Sequence, residues 1–281
     1  METEIKTIDL DKLFDEYISD YVYKNVGKIK AEEIENNIPV LYGKFGDEKL
    51  AALGGKTPNT FYRDYPAESL IKCLKAHIDG KVPVSDFLCE AIIAAKDGER
   101  AVVKALNAEE SEEFTAYLMN MLSDMKGKIP KERYMEFAFC DYPDSVGELA
   151  TEFLCEIADE VRSAVIEQYE SASDRAKERI AEILSRAGKD DGAFNVLLTE
   201  FIKHGENLPL YAGYLARYGD ERALPYLTAA AENEKISYAD YEELRFAIES
   251  LGGECKPRDF SADKTYKKIK GIKGIKKRNI R

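Results

Sequence analysis

Gly54-Gly55-Lys56-Thr57 ends like a phosphate-binding loop, in which backbone N–H groups cradle an anion and a lysine reaches its oxygens. The full pattern needs a glycine five residues before Gly55, where Leu50 stands, and a strand before the loop, where the sequence reads as helix. The stretch is therefore read as helix punctuation: Asp47 caps a short helix that Gly54 ends, and Thr57-Pro58 caps and starts another. The only histidines, His77 and His204, stand in no metal or triad spacing, and no HExxH occurs. His204, between Lys203 and Gly205, suits a cation at a helix C-terminus; nothing in the sequence assigns a role to His77. The acid pairs Glu109-Glu110, Asp190-Asp191 and Glu242-Glu243 diverge by about 100° on a helix, which is poor geometry for sharing a metal or a proton. Asp190-Asp191 follows Gly188 as a helix N-cap. Glu148, Glu152, Glu156 and Glu160, spaced by four, form a stripe that reads as a solvated helix face, with a site for a basic partner as the alternative. No residue is nominated as catalytic, and no cofactor or metal is expected.

Charge divides the 281-residue chain. Residues 1–263 hold 32 of the 41 bases and all 53 acids, a formal charge of −21, while the last 18 residues hold nine bases and no acid. An acidic body repels nucleic acid and anionic membrane, and only the tail would attract them. Lys267, Lys268, Lys270, Lys273, Lys276, Lys277 and Arg278 are its candidate anchor residues. Ile-Lys-Gly occurs there twice in tandem, at 269–271 and 272–274; with glycine every third residue a helix is poor, so a flexible tail from 253 to 281 is expected. The apolar runs are too short to span a bilayer, and the opening residues lack the features of a signal peptide. Five cysteines form no CxxC pair, and all but Cys255 fall in apolar helical patterns, which implies reduced, buried thiols in a cytoplasmic protein.

Apolar residues recur at helical spacing almost throughout, and no stretch alternates long enough to make a strand, so an all-α fold is expected. Patterns run over 8–24, 31–38 and 39–45, with Pro39 in a first turn. From Pro66 they become regular: 66–79, 84–96, 98–107, 109–125, 130–140, 144–158, 159–171, 173–187, 191–204, 207–218, 221–232 and 237–251. The span 144–171 reads equally as one helix or two, because its apolar series continues without a slip.

The helices carry a repeat. Gly188, Gly219 and Gly252 each end a helical pattern, at spacings of 31 and 33. Glu99-Arg100-Ala101 follows Gly98 much as Glu221-Arg222-Ala223 follows Gly219, and Phe87-Leu88-Cys89-Glu90 reappears 66 residues later as Phe153-Leu154-Cys155-Glu156. A hairpin of short helices cannot bury its apolar faces alone, so such units stack. Gly219-Asp220-Glu221-Arg222-Ala223-Leu224-Pro225-Tyr226-Leu227 resembles the inter-helix turn and second helix of HEAT-like repeats of the phycobilisome-lyase type. The resemblance is good over 173–252, faint over 84–172 and absent over 1–65. It implies an α-solenoid, placed at 66–252 by the helical patterns; residues 1–65 are read from the sequence as a helical N-terminal cap and 253–281 as the basic tail.

The resemblance implies a fold more than an activity, since such repeats serve widely as scaffolds. The expected function is a non-catalytic interaction scaffold that offers an acidic concave surface to a protein or peptide, one of basic character. Tyr211, Tyr214 and Tyr218 share a helical face, and Tyr238, Tyr241 and Glu242 follow; apolar residues at helical spacing are usually core, so packing between repeats is the first reading of the rings, and these six are also the candidate partner-binding residues. Association with nucleic acid or a ribosome through the tail is the second reading. A lyase-like enzyme is the third.

Overall fold

The computed structural model describes residues 5–26, 31–108 and 111–268. Among them all regular secondary structure is helical, with no strand. The chain divides into two compact units, one ending at Arg133 and one beginning at Tyr134. The sequence places boundaries at residues 65 and 252 instead.

In the first unit the helices are α1 (Leu10–Lys24), α2 (Ala31–Gly46), α3 (Pro58–Phe61), α4 (Ala67–Asp79), α5 (Asp86–Ala94), α6 (Gly98–Leu106) and α7 (Glu112–Asp124). The Asp9 carboxylate caps α1 by accepting the Lys12 N–H at 2.8 Å, and Ser111 caps α7 by accepting that of Phe114. Helix α2 runs through Pro39, where the sequence suggests two helices. Proline removes one hydrogen bond from the ladder, but Leu41 and Phe45 are buried beyond it. The rings of Tyr42 and Phe45 join Phe14 of α1 and Phe87 of α5, at centroid separations of 5.0–6.3 Å. Tyr42 and Phe45, before residue 65, thus pack against Phe87 beyond it. The Gly54-Gly55-Lys56-Thr57 stretch is a corner: both glycines have positive φ, Lys56 pairs with Asp64 at 2.9 Å, and Thr57 caps α3 in a reciprocal box with Thr60.

Helix α8 (Lys131–Phe139) contains the boundary. The second unit continues with α9 (Asp144–Glu156), α10 (Ala158–Gln168), α11 (Asp174–Leu184), α12 (Asp191–Lys203), α13 (Leu208–Tyr218), α14 (Leu224–Ala231) and α15 (Tyr238–Ser250). The 144–171 span is two helices, parted by the single non-helical residue Ile157 and closed by a 3-10 turn at Tyr169–Ser171. The apolar series gives no sign of that break, because Phe153 and Leu154 before it and Val161 and Val165 after it are all buried. Helix α9 packs on α11, α11 on α13 and α13 on α15, while α10 packs on α12. Ile180, Leu184, Leu227 and Leu244 are completely buried between these helices.

Part of the expected flexible tail is folded. Asp263 accepts the backbone N–H groups of Tyr238, Thr265 and Tyr266, so it joins the start of α15 to a C-terminal helical turn. Those three donors hold its carboxyl below the usual range. Phe260 is buried against Tyr238 and Tyr241, and Arg258 donates to the carbonyls of Ala231, at the end of α14, and Asn233, just after it. A charge-rich sequence hid these contacts because each rests on a single side chain: Asp263, Phe260 or Arg258. Lys267 and Lys268 are exposed; Lys270, Lys273, Lys276, Lys277 and Arg278 lie outside the described residues, as do Glu109 and Glu110. All five cysteines are free thiols, but Cys140 is exposed, contrary to the expectation of burial. No helix of the described residues is long and apolar enough to cross a membrane.

Candidate functional site

Helix α13 carries the tyrosines that the sequence offers as partner anchors. Pro209 sits in its first turn, and Gly219 closes it at φ +76, a left-handed conformation that costs glycine little. Tyr211, Tyr214 and Tyr218 face inward, only 3%, 6% and 5% exposed. Tyr211 and Tyr214 pack edge to face at 5.8 Å. The Tyr218 hydroxyl accepts the Asp190 N–H and donates to the Asp190 carbonyl, tying α13 to the N-cap of α12. Tyr241 is also buried, its hydroxyl donating to the Lys256 carbonyl at 2.6 Å. Tyr238 is half-buried against Phe260 and Tyr266, and Glu242 is held by Arg245 at 2.7 Å. Tyr211, Tyr214, Tyr218 and Tyr241 are thus buried, while Tyr238 and Glu242 remain half-exposed. These rings are the packing between helices, because each hydroxyl or ring edge finds a partner inside the unit.

The acidic stripe fares differently. Ile157 parts Glu156 from Glu160, so the four glutamates do not form one row. Glu148 and Glu152 on α9 instead line a trough of about 590 Å³ opposite Glu178 and Glu182 on α11. Asp144 adds a fifth carboxylate, against the guanidinium groups of Arg175, Arg179 and Arg186. Arg175 and Arg179 both close on Asp144, at 2.9 and 3.1 Å, which leaves Arg186 beside the four glutamates and the five carboxylates two in excess of the three guanidinium groups. Arg179 is buried and also donates to the carbonyls of Ala138 and Asp144. It lies so close to Gly147 that a Cβ there would meet its guanidinium. Burial, with Arg175 beside it, pulls the Arg179 pKa down; the pull of Asp144 opposes this.

In the first unit a hollow of about 800 Å³ lies beside α4 and α6. Its charges are matched within it or close by: Lys104 to Glu68 at 2.8 Å, and Asp64 to Lys56. A matched surface offers less field to a charged partner than an unbalanced one.

A third constellation escaped the sequence reading. Glu200 of α12 is completely buried and accepts the Tyr169 hydroxyl at 2.5 Å. Lys203 lies 3.3 Å from that hydroxyl and 3.8 Å from Glu200. His204, the C-cap of α12, places Nε2 3.3 Å from Glu200 and Nδ1 2.9 Å from Glu206. Its ring stacks on Tyr211 at 5.2 Å. The available signal was position: Glu200 falls on the face of α12 that buries Ala193, Val196 and Leu197. Burial and the Glu200 charge push the Tyr169 hydroxyl well above its usual value. His77 is a core residue, its Nδ1 against the Pro83 carbonyl at 2.9 Å.

No cluster of three or more metal-ligating side chains occurs among the described residues. Comparison with models of known protein families and with curated proteins finds no match.

Proposed function

We propose that the chain is a non-catalytic interaction scaffold whose second unit is a HEAT-like stack and whose α9–α11 trough receives a basic protein segment. The carboxylate surplus of the trough carries the reading: Glu148 and Glu152 come from one helix and Glu178 and Glu182 from the other, while two of the three lining arginines, Arg175 and Arg179, close on Asp144. The succession of α9, α11, α13 and α15, with α10 on α12 behind, is the layering that stacked helical hairpins produce. Carboxylate rows of this kind steer cationic partners and set specificity more than they add affinity. The tyrosines belong to the stack in this reading, and the contact surface is carboxylate. A second reading, attachment to RNA or DNA through the C-terminal bases, is favoured by the nine bases after residue 263 and by the exposure of Lys267 and Lys268.

One titration tests both. The full chain is titrated by calorimetry with a decalysine peptide and, separately, with mixed-sequence RNA, each over a salt series. The expected result is salt-sensitive peptide binding that weakens by roughly ten- to a hundredfold in a variant with Glu148, Glu152, Glu178 and Glu182 all changed to Gln, since exposed pairs contribute about 0.2–1 kcal/mol each. Unchanged peptide affinity in that variant would sink the trough as the contact surface. RNA binding that disappears when the chain ends at Lys268 would move the function to the tail. That end point keeps the contacts of Asp263 and Phe260 intact.

A further inference from the structure

His204 lies between two carboxylates, and each of its ring nitrogens faces one of them. Nδ1 is 2.9 Å from Glu206 Oε1 and Nε2 is 3.3 Å from Glu200 Oε2. A neutral imidazole has one N–H and one lone pair, so it can serve one carboxylate and must turn a lone pair to the other. Only the imidazolium ion suits both. The need is sharpest at Glu200 Oε2: it is buried and has no well-formed hydrogen bond, so the long contact to the imidazole edge is its nearest compensation.

We propose that His204 is a proton-operated latch on the α12–α13 junction, closed while the imidazole is charged and released when it loses its proton. The latch holds a short connection. His204 ends α12, the 3-10 turn Gly205–Asn207 follows, and α13 starts at Leu208. The Asn207 N–H donates to the His204 carbonyl at 2.9 Å, and the His204 ring stacks on Tyr211 one turn into α13. Once the proton leaves, one carboxylate faces a lone pair. Glu206, whose side chain is 73% exposed, is the partner free to swing into water, and the turn loses its clamp.

The charged and titratable groups around the latch come from every neighbouring element. Glu200 and Lys203 stand on α12, Glu206 on the turn, Tyr211 on α13, Tyr169 on the 3-10 turn after α10, and Asp174 on α11. Lys203 favours the neutral ring, and the three carboxylates favour the charged one. The balance falls to the carboxylates: the Glu206 hydrogen bond raises the His204 pKa above its usual 6.5, Glu200 adds to it, and partial burial opposes both. The same bond lowers Glu206 below its usual 4.5. A raised histidine stabilises the fold fully below the unfolded value and loses that contribution as pH rises through the folded one. A depressed carboxyl does the reverse, its contribution being lost as pH falls. The latch is thus fully closed between about 4.5 and 6.5 and opens on the alkaline side.

The test is imidazole NMR of the full chain with amide hydrogen exchange at Asn207 and Tyr211, corrected for the intrinsic pH dependence of exchange. Two histidines make assignment direct, the signal lost in His204→Gln being that of His204. The expected result is titration of His204 above 6.5, with protection of both amides falling across the same interval. Glu206→Gln, a surface change that leaves packing intact, should lower the midpoint and shift the loss of protection with it. A His204 midpoint at or below 6.5, or amide protection that ignores its titration, would overturn the proposal.

Discussion

Changing Tyr214 and Tyr218 together to alanine is expected to unfold the second unit and not merely to strip a binding surface. Both rings are nearly fully buried, and they lie one turn apart on α13, where Tyr214 meets Tyr211 and Tyr218 reaches across to Asp190. Truncating a buried aromatic costs about 3–5 kcal/mol. Neighbours in contact do not add simply, but even one and a half times a single loss is a large share of the roughly 5–15 kcal/mol that holds a domain together. Urea denaturation followed by circular dichroism checks this. The double variant should show a collapsed midpoint or no folded baseline, while Tyr218→Phe, which keeps the ring and loses only the two bonds to Asp190, should cost about 1–2 kcal/mol. A double variant with the parent's midpoint would return these tyrosines to the surface.

The same three tyrosines show what a sequence can and cannot carry. A 3.6-residue period marks one face of α13 as special, but it does not say whether that face meets water or another helix. The answer depends on α11 and α15, which pack on α13 from far along the chain. Helix positions themselves were legible from the apolar period, and the cap expected at Asp190 is present. Single-residue events were not. Ile157 interrupts a helix without proline or glycine, and Pro39 fails to interrupt one, because packing on either side decides both. The trough was half legible: spacing by four put Glu148 and Glu152 on one face, yet nothing local to α9 indicates that Glu178 and Glu182 stand opposite. Glu200 was readable only as an acid where the apolar pattern calls for a hydrophobe. Such a residue demands partners, and here they are supplied from 31 residues before it by Tyr169 and from the end of its own helix by His204.

Two glycines separate chain conformation from close packing. Gly98 and Gly219 look equivalent in sequence, each shortly before Glu-Arg-Ala, yet they do opposite jobs. Gly219 is the left-handed cap of α13 at φ +76, and a Cβ added there meets nothing closer than the Arg217 carbonyl at 4.0 Å. Gly219→Ala therefore incurs only backbone strain, about 1–2 kcal/mol. Gly98 has no such strain. It is buried as the first residue of α6, and a Cβ there would lie 2.2 Å from the Ile92 carbonyl oxygen of α5. The obstacle is backbone, which cannot rotate away as a side chain would, so the turn between α5 and α6 must open. Forcing an extra carbon into a packed site costs about 1–3 kcal/mol and sometimes more. With a rigid carbonyl as the neighbour, Gly98→Ala is expected at or above the top of that range. The two variants should separate cleanly: thermal melts should place Gly98→Ala below Gly219→Ala, and hydrogen exchange should localise its loss of protection to α4–α7. If Gly219→Ala proves the more damaging, chain conformation and not the close approach of α6 to α5 limits these turns, and the two glycines are equivalent after all.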